Sequence, residues 1–314
     1  MHRVTYAVFA VLCLWATPSL AQTSNDPFDE PIPARADAIA VGVEEFATLP
    51  DVDGVAARMM LLVDESGTGR LFVNDMHGVL YSVSYDGTEV TPYLDLRSPG
   101  WDVHVEASRG ERGFQSFAFH PQFGRAGTPG FGKFYTYVDS TNTTPEADFV
   151  PGGGEDAQDT LLLEWTAQDP TANRYDGGLP REGFRVEQPF RNHNGGQIGF
   201  NPLAEFGDVD FGLLYIGSAD GGSGGDPLNL SQDLSKIFGK MLRIDPLGSG
   251  SPNGEYGIPP ENVFAADGNA DTLGEIYAYG VRNPQRFDWD SSNGNLFLAD
   301  IGQNIVEEVS LVTN

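Results

Sequence analysis

The amino-acid sequence predicts an all-β chain folded as a β-propeller, and three observations carry the prediction. Thirty-nine glycines and 21 prolines in 314 residues leave little room for long helices. No apolar pattern of helical period is sustained after the N-terminal segment. Finally, one strand-turn-strand unit recurs: MMLLVDESGTGRLFVND (Met59 to Asp75), FAFHPQFGRAGTPGFGKFYTYVD (Phe117 to Asp139), IGFNPLAEFGDVDFGLLYIGSAD (Ile198 to Asp220) and FDWDSSNGNLFLAD (Phe287 to Asp300). Each copy has an apolar strand ending in Asp or Pro, a polar turn, a glycine near the restart, and a second strand carrying an aromatic: Phe72, Tyr135, Tyr215 or Phe297. Short sheets that cannot bury both faces alone are stable when stacked around an axis, whereas an unrelated sandwich has no need of a recurring hairpin.

The chain opens with MHRVTYAVFAVLCLWATPSLAQ, where His2 and Arg3 precede an apolar run and a small-residue end. This predicts a secretory signal peptide over residues 1–21, cleaved after Ala21, and a periplasmic or secreted protein. The run is shorter than the roughly 20 residues a membrane span needs, and no later segment approaches that length. Cys13, the sole cysteine, lies inside the signal, so the exported chain is expected to have no disulfide. Residues 22–40, with NDPFDEPIPAR, read as a Pro-rich acidic tail, and residues 41–314 as the propeller. Between the second and third units, TPEADFVPGGGEDAQDT reads as a long loop at a blade edge.

A net charge of -27 argues against nucleic acid and anionic membranes as partners, although acidic loops are also able to collect calcium. A homodimer is compatible with this charge.

Five stretches concentrate polar chemistry at the expected strand ends: GERGFQSFAFHP (Gly110 to Pro121), HNGGQIGFNP (His193 to Pro202), YIGSADGGSGGDP (Tyr215 to Pro227), IYAYGVRNPQRF (Ile276 to Phe287) and LADIGQNIVEEV (Leu298 to Val309). His193 suits a general base because an imidazole titrates near neutrality. Read alone, it is more simply a strand cap, and Asp220 the opening of a glycine-rich turn. Arg282 before Asn283-Pro284 is, read alone, a common turn. DGGSGGDP lacks the lysine and helix start of a phosphate loop, and Asp226 within it is a candidate for a second calcium. His120 reads as a turn residue; His77 and His104 have no partners at zinc spacing.

Together with LSKIFGKMLRIDP (Leu234 to Pro246) and YGIPPENVF (Tyr256 to Phe264), these stretches resemble the glucose/sorbosone dehydrogenase family over roughly Val41 to the end. The resemblance implies a six-bladed propeller, with about four blades in this chain, that uses pyrroloquinoline quinone and calcium to oxidise a sugar and passes electrons to a further acceptor. It implies His193 as general base and Asp220 as its supporting carboxylate, with Arg282 and Asn283 on the quinone. It also implies carbonyls of Gly302 and Gln303 on calcium, Glu308 (or its neighbour Glu307) on a structural calcium, and Arg112 near the substrate, where glucose-oxidising relatives carry glutamine. Complete relatives continue with further blades whose basic residues clamp the quinone's carboxylates, so the chain is expected to be a C-terminally incomplete copy. Two other readings follow from the same fold: an extracellular calcium-binding propeller used for recognition, and a calcium-dependent lactone hydrolase, which would need an acid and asparagine cluster not evident here.

Overall fold

The computed structural model describes residues 42–108, 110–154 and 158–312. The predicted signal peptide and acidic tail lie outside the described residues. The described residues from Glu45 onward form one compact unit, which holds every strand described below.

Four antiparallel meanders follow one another along the chain. Blade 1 is β1 (Met59–Glu65), β2 (Arg70–Asp75), β3 (Val79–Val83) and β4 (Val90–Asp95). Blade 2 is β5 (Phe114–Phe119), β6 (Lys133–Ser140), β7 (Asp159–Thr166) and β8 (Arg181–Glu187). Blade 3 is β9 (Ile198–Phe200), β10 (Leu214–Ser218), β11 (Lys240–Ile244) and β12 (Ile276–Tyr279). Blade 4 has three strands, β13 (Pro284–Trp289), β14 (Leu296–Asp300) and β15 (Glu308–Val312). The four strand pairs read from sequence are the first two strands of each blade. The outer strands escaped that reading because they share no repeated hairpin; β7, for instance, is a run buried at all but its last residue.

Strand alternation assigns each side chain to one of two neighbours. On β6, Phe134 and Val138 pack toward blade 1, and Tyr135 and Tyr137 toward blade 3. On β10, Leu214 and Ile216 face blade 2 while Tyr215 faces blade 4. Blade 1's outer face is covered by Leu49 and Val52 from the segment before β1, which pack on Val73, Val79, Tyr81 and Val83. Blade 4 buries Leu296 and Leu298 against blade 3, but Phe297, Val309 and Leu311 stay exposed on its other face. First strands of all four blades surround a cavity of about 840 Å³, with Leu61, Phe119, Phe200 and Trp289 on its wall.

His120, read as a turn residue, is buried against Phe200 as well as opening a turn to Phe123. Burial pushes its pKa down to about 4.

Candidate active site

The segment NHNGGQIGFNP leads into β9. His193 has a left-handed backbone, φ 54, a conformation that is uncommon outside glycine though less so for His than for most residues. Two bonds hold it there. Its backbone N–H donates to Glu111 Oε2 at 2.8 Å, and its ring Nδ1 lies 2.6 Å from Asp220 Oδ1. Both side chains of the His193–Asp220 pair are buried. The second glycine is a packing necessity: a Cβ on Gly196 would stand 2.6 Å from Pro284 O and 2.7 Å from Gly217 O. With an ionised Asp220 accepting from Nδ1–H, the ring's remaining lone pair is on Nε2.

Asp220 belongs to a series that the sequence reading overlooked. The four units close on VND, YVD, SAD and LAD, and the aspartates Asp75, Asp139, Asp220 and Asp300 are all buried. Three of them accept backbone N–H groups at the start of their own blade's first strand. Asp75 takes Arg58 N at 2.9 Å, Asp139 takes Gly113 N at 3.0 Å, and Asp300 takes Asn283 N at 2.6 Å and Arg282 N at 2.9 Å. In blade 3 the corresponding carboxylate takes an imidazole instead, together with Gly222 N at 2.8 Å. For Asp139, burial raises the pKa to about 7, against hydrogen bonds from Thr160, Gln115 and Gly113 that favour the ionised form.

His193, Arg282, Asn283 and Gly302 meet on the wall of one cavity of about 630 Å³, with Asp220 behind the histidine. Glu111, Gln115, Arg58 and Arg286 complete the wall features that matter chemically. Asn283 Nδ2 reaches Glu111 Oε2 at 3.4 Å, and Asp220 N donates to Arg282 O at 2.8 Å, so blades 2, 3 and 4 are tied together here. Gln115 Oε1 is buried without a hydrogen-bond partner among the described residues. Arg112 does not line this cavity; its neighbour Glu111 does. Burial lowers the Arg112 pKa, opposed by the carboxylates of Glu106 and Asp139. Nothing periodic in GERGF distinguishes these two positions; the loop's conformation does.

The residues assigned to calcium are differently engaged. Arg282 Nη1 donates to Ile301 O at 2.7 Å and Gly302 O at 3.2 Å. A calcium ion on the Gly302 carbonyl would stand against a guanidinium, like charge beside like charge, so this arrangement does not fit the metal. Gln303 Oε1 accepts from Gly225 N at 2.8 Å, which fastens the loop beside Asp220. Glu307 accepts from Gly302 N at 2.8 Å, whereas Glu308 is exposed on β15 opposite Asp300. Asp226 caps the amides of Leu230 and Ser231 with its two oxygens, a turn-holding role rather than a metal site. Among the described residues, no cluster of three or more His, Cys, Asp or Glu side chains is placed to hold a metal ion.

A sequence model of the glucose/sorbosone dehydrogenase family matches residues 59–314. The chain belongs to this family. Among its curated relatives, HIPL1 protein of Arabidopsis thaliana is 27% identical over 296 residues, covering 83% of this chain and 40% of that protein. Human Hedgehog-interacting protein is 27% identical over 242 residues, covering 75% of this chain and 30% of that protein. Among solved structures, the pyrroloquinoline quinone-bound aldose sugar dehydrogenase of Streptomyces coelicolor superposes with a TM-score of 0.56 at 23% identity. That match spans 86% of this chain and 62% of the other, and it establishes the shared propeller fold. The chain thus spans about two fifths of the length of HIPL1 protein and three fifths of the Streptomyces enzyme. No helix among the described residues is long and apolar enough to cross a membrane.

Proposed function

We propose that this glucose/sorbosone dehydrogenase-family chain carries the base of an exported, quinone-dependent sugar dehydrogenase. The observation that carries the reading is the buried His193–Asp220 pair, 2.6 Å apart, on the wall shared with Arg282 and Asn283. His193 Nε2 accepts the proton of a sugar hydroxyl while the same carbon gives up a hydride, leaving a carbonyl product. Asp220 holds the ring in the needed tautomer and stabilises the imidazolium that forms. Bound pyrroloquinoline quinone supplies the two-electron acceptor, with Arg282 and Asn283 as the residues to hold its oxygens. A guanidinium suits that place because it keeps its charge as negative charge develops. Calcium is left out of the proposal because Arg282 donates to the Gly302 carbonyl, one of the oxygens that would bind it.

The test is quinone reduction by a panel of aldoses with wild-type protein and His193→Gln. We expect turnover to disappear in the variant while quinone binding persists; reduction that survives would remove His193 from its role.

A second reading is a propeller that binds a protein partner. The match to Hedgehog-interacting protein supports it. Wild-type protein that neither binds nor reduces quinone would favour this reading.

A further inference from the structure

We propose that Asp139, as a neutral carboxylic acid, positions the segment that carries His193: its O–H donates to Thr160, whose hydroxyl donates in turn to the carbonyl of Asn194, the residue after the base. The consequence for catalysis rests on the quinone reading above; the hydrogen-bond chain itself does not.

The four blade aspartates differ in what they meet. Asp75, Asp220 and Asp300 meet backbone N–H groups and, in the first two, an imidazole. Asp139 Oδ1 instead lies 2.6 Å from Thr160 Oγ1, a hydroxyl able to accept a proton as well as give one. The same hydroxyl lies 2.9 Å from Asn194 O, so its one proton has two acceptors within reach. An ionised Asp139 takes that proton from Asn194 O, whereas an Asp139 protonated on Oδ1 leaves it there and serves both contacts. Gln188 Nε2, at 2.9 Å, then fills the second lone pair of Thr160 Oγ1. Asp139 Oδ2 still accepts from Gly113 N at 3.0 Å and Gln115 Nε2 at 2.6 Å. Asp139, Thr160 and Asn194 are all buried, where an unmet hydrogen bond is costly.

Burial raises the Asp139 pKa to about 7, and the charge of Arg112 opposes it more weakly than the hydrogen bonds do. The other titratable side chains on the adjoining segments are Glu106 and Glu111 ahead of β5 and Tyr137 on β6. Asp159, paired with Arg185, stands next to Thr160 in the chain, and His193, paired with Asp220, next to Asn194. When Asp139 ionises, Asn194 O keeps the longer contact from Gln188 Nε2, at 3.3 Å. His193 holds a left-handed backbone, φ 54, which its surroundings must maintain, so a loosened carbonyl one residue on bears on the aim of the ring.

Infrared difference spectra between about pH 6 and about pH 9 read the acid directly, because ordinary carboxylates stay ionised across that window. We expect wild-type protein to lose a protonated-carboxyl band with its midpoint at about pH 7, and Asp139→Asn to show no such band. Asparagine has nearly the shape of the neutral acid and donates to Thr160 at every pH. Hydrogen exchange over residues 190–198, followed by mass spectrometry and corrected for its intrinsic pH dependence, should therefore rise about fivefold from about pH 6 to about pH 9 in wild type and stay flat in Asp139→Asn. Thr160→Val keeps the acid and removes the bridge. Its exchange should already be fast at about pH 6, and its carboxyl band should move to higher frequency as the O–H loses its acceptor. That variant decides the matter where Asp139→Asn fails to fold. Difference spectra alike in wild type and Asp139→Asn, or wild-type exchange in this segment that does not change with pH, overturn the proposal. Quinone reduction tests the catalytic consequence: the wild-type rate should fall about threefold from about pH 7 to about pH 9 and the Asp139→Asn rate should not, while an equal fall in both breaks the link to the base. Wild-type protein that reduces no quinone, with band and exchange as expected, removes the quinone reading and leaves the positioning role standing.

Discussion

Blades 3 and 4 place a buried aspartate at the same point of their strand plan and use it differently. Asp300 ends β14 and accepts the amides of Arg282 and Asn283, so its carboxylate locks the entry of β13 into its own blade. Asp220, just past β10, accepts the ring of His193 and leaves the adjoining loop to be held by Glu111 and Gln303. A carboxylate that costs free energy to bury must be satisfied by some donor, and the fold requires a donor without specifying which. Exchanging backbone amides for an imidazole turns a structural lock into support for a base.

The largest effect should come from Asp220→Asn. Losing the carboxylate that fixes the His193 tautomer is expected to lower the rate of quinone reduction by about 10³-fold or more while thermal unfolding shifts little. A large loss of stability with an unchanged rate would place Asp220 in the same structural class as Asp300. Asp300→Ala should show the opposite profile. It leaves two amides of Arg282 and Asn283 without their acceptor, and chemical denaturation should report a loss of about 3 kcal/mol.

Acid sharpens the comparison through the other buried imidazole. His120 has no carboxylate in hydrogen-bond contact among the described residues, and its pKa is depressed from 6.5 to about 4 by burial. Because the folded value lies below the unfolded one, its contribution is complete above pH 6.5 and is lost as the pH falls through about 4. Across that window the loss amounts to about 3 kcal/mol. His120→Gln should therefore flatten the fall in stability between pH 6.5 and about 4, as followed by melting temperature against pH. Smallest of all should be Phe297→Ala on the bare face of blade 4. The side chain is 40% exposed, and its removal should cost no more than about 1 kcal/mol. A loss of several kcal/mol would mean that this face is covered in solution.

Much of this architecture was legible before any coordinates. The four recurring hairpins correspond to the inner strand pairs of the four blades because alternation and turn residues are local signals. His193, Arg282, Asn283 and Gly302 were named from the motifs that carry the family resemblance, and the fold brings them to one cavity. Arg112 and Glu308 were named in the same way and lie outside that cavity's lining.

What sequence by itself determined is the repeated β unit, the family, and the presence of a histidine, an aspartate and an Arg-Asn pair at strand ends. Tertiary structure alone decided which neighbour faces the cavity, Glu111 or Arg112, and that Arg282 takes the Gly302 carbonyl expected for calcium. It also decided that Arg58 and Arg286 share one wall although 226 residues separate Arg286 from Met60, whose carbonyl it holds. The physical reason is that strand patterns are written in the spacing of adjacent residues, where a one-residue slip turns every side chain to the other face. A cavity wall is instead assembled from loop ends and blades distant in sequence, and only packing fixes their relative positions.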